Sequence, residues 1–333
     1  MRRREVLGLG LAVLSTPLVM TRRARAQVQT QAKYPERPIK LVIPFPPGGV
    51  NDAIGRPWAD KMKGLLGTVV IENMGGAGGA VGALAVARAQ PDGYTLLLGS
   101  GGTQVIIPVA SSQPTYDPVK AFETISLLGV TAVCIAVHPS VPVRTLQELI
   151  AYAKANPGKL SYGSAGSGTM THLTGELFKV LSGAADIVHI PYRGAGPALT
   201  DAISGHIPMI TPNVTGQVIE LNRTGKLRIL AVTTPTRVAA APDIPTAIEA
   251  GLPNMISQNF VALFAPAGTP KPVIEQIAQA SRAGLSDIEL QQMFLAAAFE
   301  PRPDSGPEHV RRFLNEEIAR WTPIIKTIGL KLD

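Results

Sequence analysis

The sequence predicts an α/β protein of two domains, each built on a mainly parallel sheet covered by helices. Short apolar runs alternate with segments in which apolar residues recur every three to four positions, and this alternation is typical of β-α units. It occurs twice along the chain, and glycine-rich loops follow most of the runs. Cys134 is the only cysteine, so no disulfide within the chain can form. The stability must come from hydrophobic cores, which about 300 residues can supply.

The predicted strands fall into two sets. The first set is KLVIPF (40–45), VVIEN (69–73), YTLLLGS (94–100) and VCIAVHP (133–139). The second set is KLSYGSA (159–165), DIVHIPY (186–192), IPMITPN (207–213) and LRILAVTT (227–234). Helices are expected between strands, as at Leu146–Lys154 and His172–Leu181. Three further helices should pack on one domain, at Val273–Leu285, Ile288–Ala297 and Glu308–Ile328.

The first 26 residues have the three parts of an export signal. Arginines occupy positions 2–4, an apolar run extends from Val6 to Met20, and small residues stand at Ala24 and Ala26. The run of 15 residues is shorter than the roughly 20 that a spanning helix needs, and it contains Pro17. We therefore expect a periplasmic protein that does not span the membrane, cleaved after Ala26 and exported by the twin-arginine or the general route.

The leader also accounts for most of the basic charge. Residues 1–26 contain six Arg and one Glu, which is +5 of the formal +7 of the whole chain. The mature chain keeps 25 basic and 23 acidic residues, a net charge of +2. Because no Lys/Arg run remains, the mature protein lacks the electrostatic footprint of a nucleic-acid partner.

The first glycine loop, residues 46–52 (Pro-Pro-Gly-Gly-Val-Asn-Asp), lies between a predicted strand and a predicted helix. Ligands of α/β sheets bind beyond the carboxyl ends of strands, and glycines let an anion approach the backbone N–H groups of the next helical turn. The loop could therefore hold a carboxylate without an arginine. The alternative is that its glycines and prolines only turn the chain. Asp52 is most simply a residue that stabilises the helix start, and a direct ligand contact is the second interpretation.

The second glycine loop, residues 163–169 (Gly-Ser-Ala-Gly-Ser-Gly-Thr), has the same position between a strand and a helix. Its backbone and hydroxyl donors could bind the other side of a ligand. The spacing partly imitates a dinucleotide fingerprint, but the downstream acidic residue of that motif is missing. One such loop in each half of the chain predicts a cleft that holds its ligand from both sides.

The patterns that would indicate an enzyme are weak. Ser164 and Ser167 lack the Gly-x-Ser-x-Gly frame, because Tyr162 and Ala165 occupy the place of its first glycine. The five histidines show no close metal-ligand pairing. His172 is expected to orient the second glycine loop by hydrogen bonds and not to transfer protons. We therefore expect no catalytic residue, no metal site and no cofactor.

Six ordered motifs resemble one known family. They are KLVIPFPPGGVND, ENMGGAGGAVGALAVARAQPDGYTLLLG, KLSYGSAGSGTMTHLTGELF, DIVHIPYRGAGPALTD, GKLRILAVTT with PDIPTAIEAGLP, and FAPAGTP. In this order they resemble the Bug-type periplasmic solute receptors of tripartite tricarboxylate transporters, over essentially the whole mature chain. The resemblance implies a type II periplasmic-binding-protein fold, whose two α/β domains close on a small carboxylate. It also implies the membrane subunits of a tripartite transporter as partners.

The resemblance also places the ligand-binding residues. On the domain-one side they are Phe45, Pro47, Gly48, Gly49, Val50 and Asp52. On the domain-two side they are Ser164, Ala165, Gly166, Ser167, Gly168 and Thr169. The outer cleft is expected to add Thr103, Tyr192 and Asn213. Where many relatives have Glu-Asn-Arg-Pro-Gly, residues 72–76 are Glu-Asn-Met-Gly-Gly, which removes a positive charge near the rim.

The resemblance implies domain boundaries that are not a single cut. Domain one should comprise residues 33–133 and 257–333, and domain two residues 134–256, with hinges near Val133–Val137 and Met255–Val261. Two rival functions stay open at this point. The closed receptor could act on a membrane sensor such as a sensor kinase, or the hydroxyl-rich second loop could serve a periplasmic hydrolase.

Overall fold

Two mixed β-sheets with flanking helices form the framework of the protein. The computed structural model describes residues 34–332, so the predicted signal peptide lies outside the described residues. The strands are β1 (Ile39–Ile43), β2 (Val69–Asn73), β3 (Thr95–Ser100), β4 (Phe122–Ala132), β5 (Cys134–Val137), β6 (Ser161–Ser164), β7 (Val188–Pro191), β8 (Met209–Ile210), β9 (Arg228–Val232), β10 (Gln258–Pro266) and β11 (Phe299–Pro301). The helices are α1 (Val50–Leu65), α2 (Ala80–Ala87), α3 (Ile107–Ala110), α4 (Leu146–Ala155), α5 (Met170–Ser182), α6 (Ala195–Ile203), α7 (Gly216–Arg223), α8 (Lys271–Leu285), α9 (Ile288–Ala296) and α10 (Pro307–Thr327).

The strand order differs from the predicted mainly parallel arrangement. The first sheet has the order β11-β4-β10-β3-β1-β2, and the second has the order β7-β6-β8-β5-β9. Only the β1 pairs with β2 and β3 and the β6 pairs with β7 and β8 are parallel. The prediction of mainly parallel sheets is therefore wrong. β5 continues directly from β4, and β10 returns from the second sheet, so both run antiparallel to their neighbours without the helical crossover that parallel pairing needs.

Two chain crossings connect the sheets. The first crossing is the short step from β4 to β5 at Val133, and the second returns from β9 to β10 through Ser257. Thr233 joins them, because its Oγ1 lies 2.8 Å from the Val133 carbonyl oxygen and 2.7 Å from that of Ser257. The chain from Pro35 onward forms one compact unit. The division of this unit into two domains at the crossings stays a prediction.

The helices bury apolar faces that the sequence periodicity indicates. In α1, Ile54, Trp58 and Met62 follow one another at four-residue spacing and are fully buried. The C-terminal helices α8 and α10 pack against β4 of the first sheet, and α9 packs against β11 and α1. The predicted helices at 273–285, 288–297 and 308–328 are thus confirmed to within two residues at each end, and they cover the first sheet.

Candidate functional site

Three helices begin at one place between the two sheets. Each follows a strand end: α1 follows β1, α5 follows β6, and α6 follows β7. In α1 the amides of Asp52 and Ala53 donate to the Gly49 carbonyl at 3.1 and 3.0 Å, which leaves those of Val50 and Asn51 without an intrahelical partner. A helix N-terminus carries about half a positive charge. Three such ends directed at one space attract an anion.

The space that these helix ends enclose is a cavity of about 40 Å³. Its first-sheet side is formed by Phe45, Pro46, Gly49, Val50, Asn51, Ser100 and Asn259. Its second-sheet side is formed by Ala165, Thr169, Met170, Thr171, Gly194, Ala195 and Asn213. None of these 14 residues has a charged side chain. The cavity therefore offers backbone amides, amide side chains and hydroxyls to a ligand, and its positive potential comes from the helix ends.

The cavity brings together six of the predicted site residues. These are Phe45, Gly49, Val50, Ala165, Thr169 and Asn213. The other nine do not line it, namely Pro47, Gly48, Asp52, Thr103, Ser164, Gly166, Ser167, Gly168 and Tyr192. A larger depression of about 130 Å³ lies at the C-terminal ends of α4 and α5, but no predicted site residue borders it. Ligand contact by any of the residues stays a prediction.

Asp52 holds the first glycine loop in place. The Arg56 guanidinium donates to both of its carboxylate oxygens at 2.9 Å, Asn73 Nδ2 donates to Oδ1 at 3.1 Å, and Gly48 N–H donates to Oδ2 at 3.3 Å. Asn73 Nδ2 also donates to the Phe45 carbonyl at 2.9 Å. Burial opposes ionisation of Asp52, yet these hydrogen bonds outweigh it and lower the pKa of its carboxyl. The geometry favours a supporting role over a direct ligand contact.

Two stacked histidines, the buried His172 and the partly buried His189, support the second glycine loop. His172 Nδ1 accepts a hydrogen bond from Gly168 N–H at 3.2 Å, and His189 Nε2 lies 2.7 Å from Ser164 Oγ, which itself accepts from Gly166 N–H at 3.1 Å. The two imidazole rings stack with their centroids 3.9 Å apart. Burial lowers the pKa of His172 to about 4 and that of His189 to about 3. Both rings are therefore neutral near pH 7, and the expectation that His172 orients this loop is confirmed.

The hydroxyl groups of the second loop hold its backbone. Thr169 Oγ1 donates to the Gly166 carbonyl at 2.7 Å and accepts from His172 N–H at 3.3 Å, so Thr169 is the N-cap of α5. Thr171 Oγ1 accepts from Ala165 N–H at 3.0 Å. These bonds leave the first amides of α5, those of Met170 and Thr171, without an intrahelical partner beside the cavity.

The three residues predicted for the outer cleft have different environments. Thr103 Oγ1 accepts from Ser100 N–H at 3.0 Å, and the Tyr192 hydroxyl donates to Asp201 at 2.7 Å. Both side chains are therefore engaged with the protein. Asn213 borders the cavity, and its Oδ1 is buried without a hydrogen-bond partner among the described residues. A buried acceptor of this kind is completed by a donor from water or from a ligand.

Sequence reasoning missed several residues at the cavity. Gly194 and Ala195 belong to the loop YRGAGPA, which was recognised only as a strand-end loop. Asn259 lies on β10, a strand that the alternation pattern did not predict. Asn51 lies inside the first glycine loop and donates through Nδ2 to the Leu98 carbonyl at 3.0 Å. Its position in the loop was the one available signal.

Metal-binding clusters and membrane-spanning helices are both absent from residues 34–332. Within this range, no cluster of three or more His, Cys, Asp or Glu side chains could hold a metal ion. None of the helices in the same range combines the length and the apolar character that a membrane crossing requires.

Comparison with known proteins identifies the family. The sequence model described as "Tripartite tricarboxylate transporter family receptor" matches residues 54–330. Protein BugT of Bordetella pertussis is 35% identical over 302 residues, which span 90% of this chain and 91% of BugT. Among solved structures, the periplasmic binding protein BugD is 34% identical, with a TM-score of 0.85 over 90% of this chain and 99% of BugD. MatC from Rhodopseudomonas palustris with bound malate is 30% identical, with a TM-score of 0.83 over 88% of this chain and 100% of MatC.

These matches agree with the geometry of the molecule. The fold is that of the periplasmic binding proteins, with two α/β domains and a cavity between their sheets. The family is periplasmic, and its members are solute-binding receptors and not enzymes. The chain therefore belongs to the receptor family of the tripartite tricarboxylate transporters, the Bug-type solute-binding proteins.

Proposed function

We propose that this receptor captures a small organic carboxylate in the cavity between its sheets and delivers it to the membrane subunits of a tripartite transporter. The observation that carries the proposal is the convergence of three helix N-termini on a cavity that lacks charged side chains. The carboxylate would accept hydrogen bonds from the first amides of α1 and α5, with α6 adding a third positive helix end. The malate in the structure of MatC supports a carboxylate as the solute.

The rest of the cavity favours a ligand with a hydrogen-bond donor. Asn213 contributes a buried acceptor without a partner, and Ser100, Asn51 and Asn259 add neutral polar groups. Leaving a buried acceptor unpaired costs about 1–3 kcal/mol, which a hydroxyl or amino group on the ligand would offset. We therefore expect a hydroxy or amino acid to bind more tightly than the same acid without that group.

Capture would proceed by closure of two domains, residues 33–133 with 257–333 and residues 134–256. The chain passes between the two sheets only at Val133 and Ser257 among residues 34–332, and Thr233 bonds to both crossings. Rotation about these two points would open the cavity, with little change inside either sheet.

The experiment identifies the acid that binds and determines whether the protein changes it chemically. Native mass spectrometry of protein purified without added acid would reveal a co-purified solute. A thermal-shift screen would then compare malate, succinate, aspartate, adipate, citrate and aromatic or amide-bearing acids. Binding to the folded state alone stabilises by about 2.7 kcal/mol at a hundredfold excess over Kd, so a clear melting shift is expected. Malate should give a larger shift than succinate.

The same experiment separates receptor from enzyme. The bound acid should be recovered unchanged and in no more than stoichiometric amount. No shift with any acid would contradict carboxylate capture, and product in excess of the protein would favour a periplasmic hydrolase.

Localisation is tested on the precursor. We propose export to the periplasm with cleavage after Ala26, so the mature protein should begin at Gln27. Replacement of the arginines at positions 2–4 by Gln should leave precursor in the cytoplasm. Unchanged export, measured by fractionation and N-terminal sequencing, would contradict the signal-peptide assignment.

A further inference from the structure

The glycine-rich segment after β2 does not border the cavity. Residues 74–79 (Met-Gly-Gly-Ala-Gly-Gly) form one of the motifs of the sequence, yet none of them lines the ligand space. The turn that begins at Gly102 is also absent from the cavity lining. Both segments lie on the first-sheet side. One glycine of each segment, Gly78 and Gly102, approaches residues 167–169 of the second glycine loop.

At Gly78 the two sides meet backbone to backbone. A Cβ atom placed on Gly78 would lie 2.1 Å from the carbonyl oxygen of Ser167, far inside van der Waals contact. The obstacle is a backbone oxygen, so no side-chain rotation can relieve the overlap. Gly78 also has φ +65°, in the left-handed region that favours glycine.

Gly102 makes a second, less tight approach to the same loop. A Cβ atom there would lie 3.0 Å from the Gly168 carbonyl oxygen and 3.3 Å from Thr169 Cα. Gly102 is not among the residues with positive φ, so its backbone conformation does not require glycine. A side chain at this position would therefore require the second glycine loop to move by a few tenths of an ångström.

The C-terminal end of the chain completes the contact surface. A Cβ atom on Gly168 would lie 2.8 Å from Ile107 Cγ1 and 2.9 Å from Leu332 Cδ1. Leu332 is anchored to the first-sheet side, because its N–H donates to the Ala110 carbonyl at 3.0 Å. Residues 167–169 thus contact the first-sheet side at Gly78, Gly102, Ile107 and Leu332, which we name the closure seat.

The position of residues 167–169 determines where the N-terminus of α5 lies at the cavity. Thr169 is the N-cap of α5, and the next two residues, Met170 and Thr171, line the cavity. A displacement of residues 167–169 away from the seat therefore moves the N-terminus of α5 away from that of α1.

We propose that the closure seat sets how far the two domains close, and that Gly78 and Gly102 are positioning residues for ligand capture although neither borders the ligand space. The inference rests on the proposed function for its ligand and for the closure of two domains, whereas the contacts of the seat are observed independently. An alanine at either glycine would hold the second loop away from the seat and separate the helix ends that should share one carboxylate.

The test compares two seat variants with two controls. Gly78→Ala is matched by Gly225→Ala, because Gly225 has φ +70° and no heavy atom within 4 Å of its Cβ position. Gly102→Ala is matched by Gly64→Ala, whose Cβ position is also open and whose φ is ordinary. Calorimetry with malate and adipate gives the affinity, thermal melting without acid gives the stability, and small-angle X-ray scattering gives the radius of gyration with and without acid.

We expect each seat variant to bind both acids at least tenfold more weakly than its control. Its melting temperature without acid should equal that of the control, and its radius of gyration at saturating acid should be larger. Affinities and radii of gyration equal to those of the controls would overturn the proposal that the closure seat limits domain closure. Loss of stability without an increase in radius would also overturn it, because that is the result of a merely structural role.

Failure of the proposed function would give a different result. If the wild-type protein showed no melting shift with any acid, carboxylate capture would be wrong, and the scattering without acid would test the seat by itself. A larger radius for both seat variants than for both controls would support it. Equal radii would overturn it.

Discussion

At the residue scale, neutral imidazole groups, and not a charged side chain, support the backbone of the second glycine loop. His172 and His189 form a stacked pair between β7 and α5, and Tyr162 stacks on His189 with ring centroids 4.8 Å apart. The charged groups next to this stack are Glu176, which accepts from the Tyr162 hydroxyl at 2.8 Å, and Lys179, which pairs with Glu176 at 3.1 Å. Each imidazole presents an acceptor or donor to the loop while it remains neutral.

The depressed histidine pKa values predict acid sensitivity. Both values fall below the 6.5 of an unperturbed histidine, so the folded state binds fewer protons than the unfolded state below about pH 6.5. Stability is then complete above pH 6.5 and is lost as the pH falls towards 4, by up to about 2 kcal/mol for one histidine at pH 5. Urea unfolding of the wild type and of His189→Gln at pH 7 and pH 5 measures this pH-dependent loss in the free energy of unfolding.

The substituted protein should be less stable at pH 7 but should lose less free energy of unfolding on acidification. Identical pH dependence in wild type and His189→Gln would contradict a neutral, partly buried His189.

Asp52 supplies a second prediction at this scale. Asp52→Asn removes the ionised acceptor that holds Arg56, and hydrogen bonds to charged groups contribute about 1.5–3 kcal/mol. We expect a stability loss of about 1–3 kcal/mol by urea denaturation, and an affinity for malate within about threefold of wild type in the folded variant. Loss of binding in a variant of wild-type stability would indicate a direct ligand role for Asp52.

At the element scale, the site depends on where helices begin. α1, α5 and α6 all start beside the cavity, and no arginine or lysine borders it. Arg193 precedes α6 but is exposed and is not a lining residue. Backbone amides cannot be removed by side-chain truncation, so access to them has to be blocked instead.

Gly49→Val blocks that access. Gly49 is the N-cap of α1 with φ −88°, and its Cβ position has no heavy atom within 4 Å, so the fold tolerates a side chain that projects into open space. Since Gly49 lines the cavity, we expect a normal melting temperature and at least a hundredfold loss of malate affinity by calorimetry. Arg193→Ala is the comparison and should change the affinity less than tenfold. The reverse order of effects would mean that a guanidinium holds the anion.

Gly168→Pro is a poor test of the second loop. Gly168 has φ +79°, which proline cannot adopt, and its N–H donates to His172. This substitution would therefore disturb the loop and its support together, and a loss of binding would not identify the ligand contact.

At the scale of the whole molecule, the two crossings meet at one buried threonine. The Thr233 hydroxyl lies within hydrogen-bond distance of the Val133 and Ser257 carbonyls, and Ser257 N–H donates to the Thr233 carbonyl at 2.7 Å. Thr233 and Ser257 are fully buried. Bulk solvent therefore does not reach these side chains to replace a lost hydrogen bond.

Thr233→Val tests this junction. Valine has nearly the shape of threonine but no hydroxyl donor. The Val133 carbonyl still accepts from Thr233 N–H at 2.9 Å, whereas the buried Ser257 carbonyl loses its hydroxyl donor, which costs about 1–3 kcal/mol. Urea denaturation should show that loss, whereas Thr322→Val, which removes a hydroxyl bonded only to the Ile318 carbonyl within α10, should change stability by less than about 0.5 kcal/mol. Equal effects of the two substitutions would contradict a special role for the junction.

The sequence was informative where structure depends on near neighbours. Helix spacing located α8 to α10, and the glycine loops located the starts of α1 and α5 at the cavity. It was less informative for β4 and β10, whose residues are almost entirely buried and show neither alternation nor a glycine-rich end. The run predicted at 133–139 contains only the short β5, because the chain passes from one sheet to the other at Val133.

By itself, the sequence determined the α/β class, the family and the positions of the loops that precede the helices, because these depend on local spacing and on ordered motifs. The tertiary structure alone decided the direction of β5 and β10, the role of His189 and the contact of Gly78 with Ser167. Each of these joins residues that are distant in the chain. The energies of these contacts depend on which groups come within reach after the two sheets pack. A local pattern of residues does not determine the distances between such groups.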